Sequence, residues 1–415
     1  MVLGRPGTGQ ASGGRPQPGH RSWQLPAAAA ACALSLAACV AVASGHHLLT
    51  WFDLAVYNHA GHLARSAPQR LYSWQLRPLI RFTYPPFAAL VFAVTSLLLW
   101  TVLKWLMIVA SLAALAATIR LTFGALGRAG RARVTAALGL TAVALWTEPV
   151  LHGLGLGQVE LLLMALIVWD LCQPDRRWWK GAGIGLAAGI KLTPLIFIPY
   201  LVLCGKLRQA AVAAAAFAGT VAAGFAVLPG ASGRWWWTGY FLQPGKTGDA
   251  ASLVNQSLLA MVARAEESVR HATPAWLAAA AVVAAVGLTA AAVLHRSGRP
   301  VAGWVTCALT GLLVSPISWD HHWVWIVPVL VVLADAAQRA RGAARWVHAT
   351  AAAVVAVVFG DWPSQWTGPL ALVPRGLLGF FPGPFGPNLY VIAGLVMPAA
   401  AVTAAARAPT RRSAR

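Results

Sequence analysis

The chain has 415 residues, of which 58% are hydrophobic and 10% are charged, and its mean hydropathy is +0.65. A soluble domain carries about 25% charged residues, so this composition excludes a soluble globular protein and predicts an all-α polytopic membrane protein. Lysine and arginine number 32 against 11 acids, a net charge of +21, but they lie in short clusters between apolar runs. That pattern follows the positive-inside rule and argues against a nucleic-acid partner.

The N-terminal region begins with residues 1–25, whose Gly, Pro and Arg content predicts a disordered cytoplasmic tail. Residues 26–44 form the first predicted span, and the preceding arginines place the polar loop 45–84 outside. Within that loop, the run from Leu54 to Leu63 predicts a short amphipathic helix that lies on the membrane surface, and Asp53 immediately precedes it. An N-cap of this helix is the structural alternative to a functional role for Asp53.

The apolar stretch from Tyr84 to Phe123 is long enough for two spans, with Lys104 at the predicted turn. Two full crossings here would place the arginines of 128–133 outside, against the charge rule. A broken or re-entrant helix resolves this conflict, and Lys191-Leu-Thr-Pro194 is a candidate break. Lys191 lies eleven residues inside an apolar run. One explanation is that Lys191 extends its charged end to the membrane surface (snorkelling), whereas a lysine this deep more often indicates a cavity or a bound anion.

The second half has clearer topology, because basic clusters alternate with loops that lack them. It predicts outer loops at 230–274, 315–323 and 361–387, and a basic cytoplasmic tail at 407–415. Residues 26–406 are therefore expected to form one integral membrane domain with 11 or 12 spans.

The stretch Ser315-Pro-Ile-Ser-Trp-Asp-His-His-Trp323 places an acid and two imidazoles at a membrane boundary, where ionisable groups are costly. Adjacent His321 and His322 are expected to point to different faces, so no metal site is predicted without further ligands. Asp320 is expected to orient one imidazole.

Six short motifs occur in order between residues 50 and 340. They are Trp51-Phe-Asp-Leu-Ala-Val-Tyr57, Tyr84-Pro-Pro-Phe87, Gly155-Leu-Gly-Gln-Val159, Gly189-Ile-Lys-Leu-Thr-Pro194, Asn255-Gln-Ser257 and Ser315–Trp323. In this order they resemble the motif series of glycosyltransferase family 87, which comprises polyprenyl-phosphate-mannose-dependent α-1,2-mannosyltransferases of actinobacteria, of the phosphatidylinositol mannoside and lipomannan type. One departure is Glu160, where the family pattern has Asn.

The resemblance implies a GT-C-type fold with an active site formed by outer-face loops at the plasma membrane. It implies that mannose moves, with inversion, from polyprenyl-phosphate mannose to a hydroxyl of a glycolipid or lipoglycan acceptor. Asp53 matches the general base, and Lys191, His321 and His322 are the expected ligands of the donor phosphate. Substrate binding is assigned to Tyr57, Tyr84, Gln158, Glu160, Asn255 and Asp320. No Asp-x-Asp motif occurs, which agrees with a lipid-linked donor, no obligatory metal and no cofactor.

The alternative function is a multi-pass transporter or flippase for a lipid-linked or anionic substrate, with Lys191 and the histidines along its path. Two observations argue against it. No inverted hydropathy repeat is apparent, and the polar residues cluster in outer loops, whereas transporters place them in midplane helix breaks.

Overall fold

The computed structural model describes residues 23–77, 80–240, 249–360 and 386–407. These residues form helices almost throughout, which confirms the predicted all-α membrane class. The helices of the first half are α1 Gln24–Gly45, α2 Phe52–Ser66, α3 Pro86–Thr95, α4 Trp100–Ala125, α5 Gly130–Ala144, α6 Glu148–Leu156, α7 Glu160–Leu171, α8 Ala182–Ile190 and α9 Phe197–Leu203. Those of the second half are α10 Leu207–Val227, α11 Pro229–Trp237, α12 Leu258–Ala265, α13 Val269–Arg296, α14 Pro300–Val314, α15 Ile326–Arg339, α16 Ala343–Val358 and α17 Leu389–Arg407.

Short elements connect the helices. Strands β1 Gln75–Arg77 and β2 Ile80–Arg81 pair as an antiparallel hairpin, with Gln75 opposite Arg81. Single 3₁₀ turns occupy Pro68–Arg70, Thr193–Ile196, Asp320–Trp325 and Gly386–Asn388. The predicted tails, and most of the predicted loop 361–387, fall on residues 1–22, 361–385 and 408–415, outside the described part of the chain.

Six helical stretches of the described chain are long and apolar enough to cross a membrane: Gln24–Gly45, Trp100–Ala125, Leu207–Val227, Val269–Arg296, Asp320–Arg339 and Gly386–Thr403. The pair α6–α7, bent by 118°, raises the number to seven. Four more apolar helices have only 10–17 residues, against about 20 for a full span. The expected 11 or 12 spans counted these shorter apolar runs as crossings, whereas the part of the chain that the structure describes has six or seven stretches of full length.

The predicted pair of spans in 85–122 includes one of these shorter runs. With ten residues, α3 is about 15 Å long, half the thickness of the bilayer core. The chain turns at 96–99, and Lys104 lies inside α4, with its Nζ 5.7 Å from the centroid of the Trp51 ring. The prediction of a turn at Lys104 was therefore wrong. Because α3 is no full crossing, the conflict with the charge rule also disappears.

Basic residues from distant parts of the sequence pair with two acids, Asp335 and Asp175. Asp335 near the end of α15 accepts from Arg128 Nε at 2.6 Å and from Arg339 Nε at 2.7 Å. In a second cluster, Asp175 pairs with Lys206 at 2.5 Å and with Lys180 at 2.9 Å. Hydrogen bonds from these two ammonium groups hold the pKa of Asp175 well below its usual value. Arg128 therefore lies at the same end of the bundle as Arg339.

The predicted break at Lys191-Leu-Thr-Pro194 is confirmed. Helix α8 ends at Ile190, Lys191 is extended (φ −144°, ψ 131°), and a 3₁₀ turn with Pro194 leads into α9. Buried Asp170 fixes the other end of α8, because its carboxylate accepts from the backbone N–H groups of Gly181 at 2.8 Å and Ile184 at 3.1 Å. The break therefore places Lys191 at the tip of a short, anchored helix.

Candidate active site

Polar side chains from four separate segments converge beside the N-terminal end of α15. Helix α2 supplies Asp53 and Tyr57, and the bend between α6 and α7 supplies Gln158 and Glu160. The tip of α8 supplies Lys191, and the 3₁₀ turn Asp320–Trp325 supplies the adjacent histidines. Direct hydrogen bonds in this cluster join residues up to 168 positions apart in sequence.

Helix α2 starts one residue before Asp53, which therefore lies in its first turn and is not its N-cap. Trp51 precedes the helix in the left-handed region (φ 59°), and its N–H donates to Gly155 O at 2.9 Å. This bond fixes the start of α2 against α6. The apolar residues of α2 are packed inside the protein, so α2 is not the surface-lying helix that its sequence predicted.

The bend between α6 and α7 depends on a glycine. Gly157 ends α6 with φ 71°, and a Cβ at this position would lie 2.7 Å from Leu54 Cβ. A residue with a side chain would be strained both in its backbone and in its contact with α2. The glycine therefore allows the bend to lie directly against α2 and to direct Gln158 toward Asp53.

Gln158 is the centre of the cluster and is 6% exposed. Its Nε2 donates to Asp53 Oδ2 at 2.7 Å and contacts His321 Nε2 at 3.1 Å. Its Oε1 accepts from Tyr57 at 2.6 Å, and the Tyr84 hydroxyl lies 2.7 Å from that of Tyr57. Because an amide NH₂ only donates, His321 Nε2 must accept, and the neutral ring carries its proton on Nδ1.

Asp320 binds two imidazoles. Its Oδ1 lies 3.1 Å from His321 Nδ1, which agrees with the expected orienting role. Its Oδ2 lies 2.7 Å from Nδ1 of His152, a residue that the sequence analysis did not select. The acid–histidine pair fixes the tautomer of His321 that the Gln158 contact requires. A lone histidine on a short apolar helix gave no sequence signal for this role.

Lys191 forms the second half of the cluster. Its ammonium group pairs with Glu160 Oε1 and lies 2.9 Å from His322 Nε2, which must accept. It also lies 5.6 Å from the centroid of the Tyr84 ring. Glu160 is 7% exposed, and its second oxygen, Oε2, is buried without a hydrogen-bond partner. Lys191 is therefore paired with the Glu160 carboxylate, whose second oxygen can still accept a hydrogen bond.

The electrostatic setting differs between the acid and the tyrosines of this cluster. Removal from water raises the pKa of Asp53, while the hydrogen bond from Gln158 opposes that rise. Burial raises the pKa values of Tyr57 and Tyr84 well above the usual value for a phenol. The tyrosines are therefore neutral donors, whereas the carboxyl group of Asp53 is a better base than an ordinary aspartate.

Asn255 lies beside this cluster but not in it. It is fully buried, its Nδ2 donates to Ala250 O at 2.8 Å and Pro316 O at 3.2 Å, and its Oδ1 accepts from Ser318 N at 2.9 Å. The N–H of Asp320 also donates to Val254 O at 2.8 Å. The structure thus brings every predicted site residue together except Asn255, which supports the histidine loop through the backbone.

Two groups in the described chain have the composition of a metal site. Ligand atoms of His152, Asp320 and His321 lie within 4.8 Å of one another, as do those of Glu160, His321 and His322. In the second group, the ammonium of Lys191 already binds Glu160 and His322. The rings of His321 and His322 were expected to point to different faces, but their centroids lie only 4.7 Å apart. In this second group, the positive charge comes from the ammonium of Lys191.

The family match and the relatives found by comparison with known proteins agree on one class of protein. The model of glycosyltransferase family 87 matches residues 82–316. A "polyprenol-phosphate-mannose-dependent alpha-(1-2)-phosphatidylinositol pentamannoside mannosyltransferase" of Mycobacterium tuberculosis is 36% identical over 291 residues, 69% of this chain and 67% of the relative. A phosphatidylinositol mannoside mannosyltransferase of the same species, also named polyprenol-phosphate-mannose-dependent, is 30% identical over 306 residues, 71% of this chain and 69% of the relative. No solved structure matches the chain.

Proposed function

The chain belongs to glycosyltransferase family 87, and we propose that it transfers mannose from polyprenyl-phosphate mannose to a hydroxyl of a phosphatidylinositol mannoside. One observation carries this proposal. A carboxylate (Asp53) and a cation (Lys191) lie in the same cluster and are linked through Gln158, the histidines and Glu160. A base beside a phosphate-binding cation is what glycosyl transfer from a lipid phosphate requires.

The donor phosphate is proposed to bind at Lys191, with His321 and His322. Lys191 supplies the charge that stabilises the departing phosphate. In the free site the Nε2 atoms of both histidines accept hydrogen bonds, from Gln158 and Lys191. In the complex, each ring is proposed to turn an N–H group toward a phosphate oxygen, since only a nitrogen that carries a proton can donate to it.

Asp53 is proposed to be the general base. The acceptor oxygen attacks C1 of the mannosyl group, and the bond from C1 to the phosphate oxygen breaks. The acceptor proton moves to Asp53, and the polyprenyl phosphate leaves with the electron pair. A phosphate is a good leaving group, so one carboxylate is sufficient. A single displacement inverts C1, and a β-linked donor thus gives an α-linked product.

The remaining polar residues are proposed to bind the sugars. Tyr57 and Tyr84 hold Gln158 by a chain of hydroxyl groups. The Tyr57 ring stacks on Phe92 at a centroid distance of 4.5 Å, and the Tyr84 ring meets Phe92 edge-on at 6.4 Å. The free oxygen of Glu160 is an acceptor for a sugar hydroxyl. Asp320 is proposed to act by orienting His321, and Asn255 by holding the loop that leads to the histidines.

The site is proposed to face outward across the plasma membrane, in a GT-C-type arrangement. Helix α15 begins directly after the histidines and ends at Arg339, which shares Asp335 with Arg128. Basic clusters belong to the cytoplasmic side, so the opposite end of α15 lies outside. Residues 26–406 are proposed to form one integral membrane domain, with glycolipid or lipoglycan acceptors reaching the site from the outer leaflet.

The test is mannosyl transfer by purified protein from polyprenyl-phosphate mannose to phosphatidylinositol mannosides. Asp53→Asn preserves the shape of the side chain and is expected to lower kcat by about 10²–10⁴-fold, the usual contribution of a general base. Asp249→Asn is the matched control, because Asp249 is exposed and its Oδ1 accepts from Ala251 N, a bond that asparagine can keep. Full transfer by folded Asp53→Asn contradicts the base assignment. Absence of transfer by the wild type contradicts the proposed reaction.

A further inference from the structure

The ammonium of Lys191 is not free to receive an anion in this structure. Glu160 Oε1 forms an ion pair with it, and Glu160 Oε1 also lies 3.5 Å from His322 Nε2. Both members of the pair are largely shielded, with side-chain exposures of 17% for Lys191 and 7% for Glu160. Shielding from water makes the interaction between these charges much stronger than on a surface.

A phosphate that binds Lys191 must therefore share the cation with a carboxylate. The same neighbourhood holds Asp53, whose carboxylate lies across Gln158 from His321. Each additional negative charge on the incoming phosphate is repelled by Glu160 at short range, and this repulsion grows in proportion to the charge.

The two phosphates of the proposed reaction differ in charge. The donor is a phosphodiester with one negative charge, whereas the product is a phosphomonoester, which carries about −1.5 to −2 at pH 7. A site with cations alone would hold the product more tightly than the donor. Such a site would release its product slowly and be inhibited by it.

We propose that Glu160 is a specificity-determining residue that selects the phosphodiester donor over the phosphomonoester product by competing for Lys191. The proposal rests on the proposed function of the site. Glu160 weakens the binding of both phosphates, but it weakens that of the more highly charged product more strongly. It thereby favours release of the polyprenyl phosphate after each transfer.

The experiment compares wild type and Glu160→Gln in nanodiscs, using the full chain and two probes. The probes are farnesyl phosphate, a monoester, and its methyl diester, which carries one charge and the same chain. Loss of the Glu160 charge is expected to tighten monoester binding on the order of tenfold and diester binding by less. In the transfer assay, product inhibition becomes stronger and kcat falls, while KM for the donor also falls.

Glu267→Gln is the matched control, because Glu267 is exposed in the turn between α12 and α13 and loses the same charge. It is expected to bind both probes as the wild type does. Glu160→Asp, which keeps the charge, is expected to retain the preference of the wild type and guards against a folding defect of the glutamine variant. If Glu160 had a purely structural role, Glu160→Gln would bind both probes more weakly than the wild type does, and that result overturns the proposal.

Equal tightening of monoester and diester by Glu160→Gln also overturns the proposal, since selection by charge requires a difference. Failure of the proposed function has a separate signature. The wild type would then transfer no mannose to any phosphatidylinositol mannoside, although the comparison of the two probes remains measurable.

Discussion

Gln158→Met tests the role of the central amide in setting the acidity of Asp53, the proposed base. Methionine has a similar length and fills the same buried space without donors or strong acceptors. The substitution removes the 2.7 Å bond to Asp53 Oδ2, the contact with His321 and the acceptor of the Tyr57 hydroxyl. The bond to Asp53 matters most for pH dependence, because it stabilises the ionised carboxylate more than the protonated acid.

The expected sign follows from the causes that act on Asp53. Removal from water raises its pKa and the Gln158 hydrogen bond lowers it, so losing the bond raises the pKa further. The base acts when deprotonated, so activity falls as the pH decreases through this pKa. A hydrogen bond to a charged group contributes about 1.5–3 kcal/mol, and 1.36 kcal/mol corresponds to one pH unit. The acid limb of kcat/KM should therefore move to higher pH by about one to two units.

The assay is the pH profile of kcat/KM for mannosyl transfer, measured on purified wild type, Gln158→Met and the exposed control Gln338→Met. The control should reproduce the profile of the wild type. The activity deficit of Gln158→Met should shrink at alkaline pH, where the base is ionised in both proteins. An acid limb that stays in place, or moves to lower pH, would refute the assignment of Asp53 and Gln158 as a base and its hydrogen-bond donor.

Two further predictions concern supporting residues. His152→Ala removes a partner of Asp320 and should lower kcat on the order of tenfold, whereas His152→Asn, which can still donate to Asp320 Oδ2, should retain more activity. Equal kcat values for these two variants would exclude a role for the hydrogen bond. Asn255→Ala loses three hydrogen bonds to backbone groups and should lower the free energy of unfolding by about 1–3 kcal/mol, together with kcat. A raised KM with an unchanged melting temperature would instead identify Asn255 as a direct substrate contact.

The fold was predictable where it depends on composition and on local breaks. Apolar runs gave the helical membrane class, and a lysine followed by Leu-Thr-Pro gave the end of α8. Helix length was less predictable, because a continuous apolar run does not record where the chain turns. The turn at 96–99 lacks any charged residue, while Lys104 is accommodated in a helix between the rings of Trp51 and Trp100.

The site was predictable as a set of residues but not as a set of contacts. Nothing in the sequence indicates that one glutamine side chain joins Asp53 to His321, or that Lys191 pairs with Glu160. His152 was missed because its partner Asp320 is 168 positions away. The two consecutive histidines both lie in the cluster, and α7, a separate element, places Glu160 Oε1 3.5 Å from His322 Nε2.

The bonds of Gln158 also determine when the enzyme becomes complete during biosynthesis. They reach back 105 positions to Asp53 and forward 163 positions to His321. Contacts of such long range form only after the intervening chain has been synthesised and inserted. Until α15 arrives, Asp53 and Gln158 lack the histidine that completes their network. A nascent chain that stops before residue 315 can insert helices into the membrane, but its Asp53, Gln158 and Lys191 still lack the two histidines of the cluster.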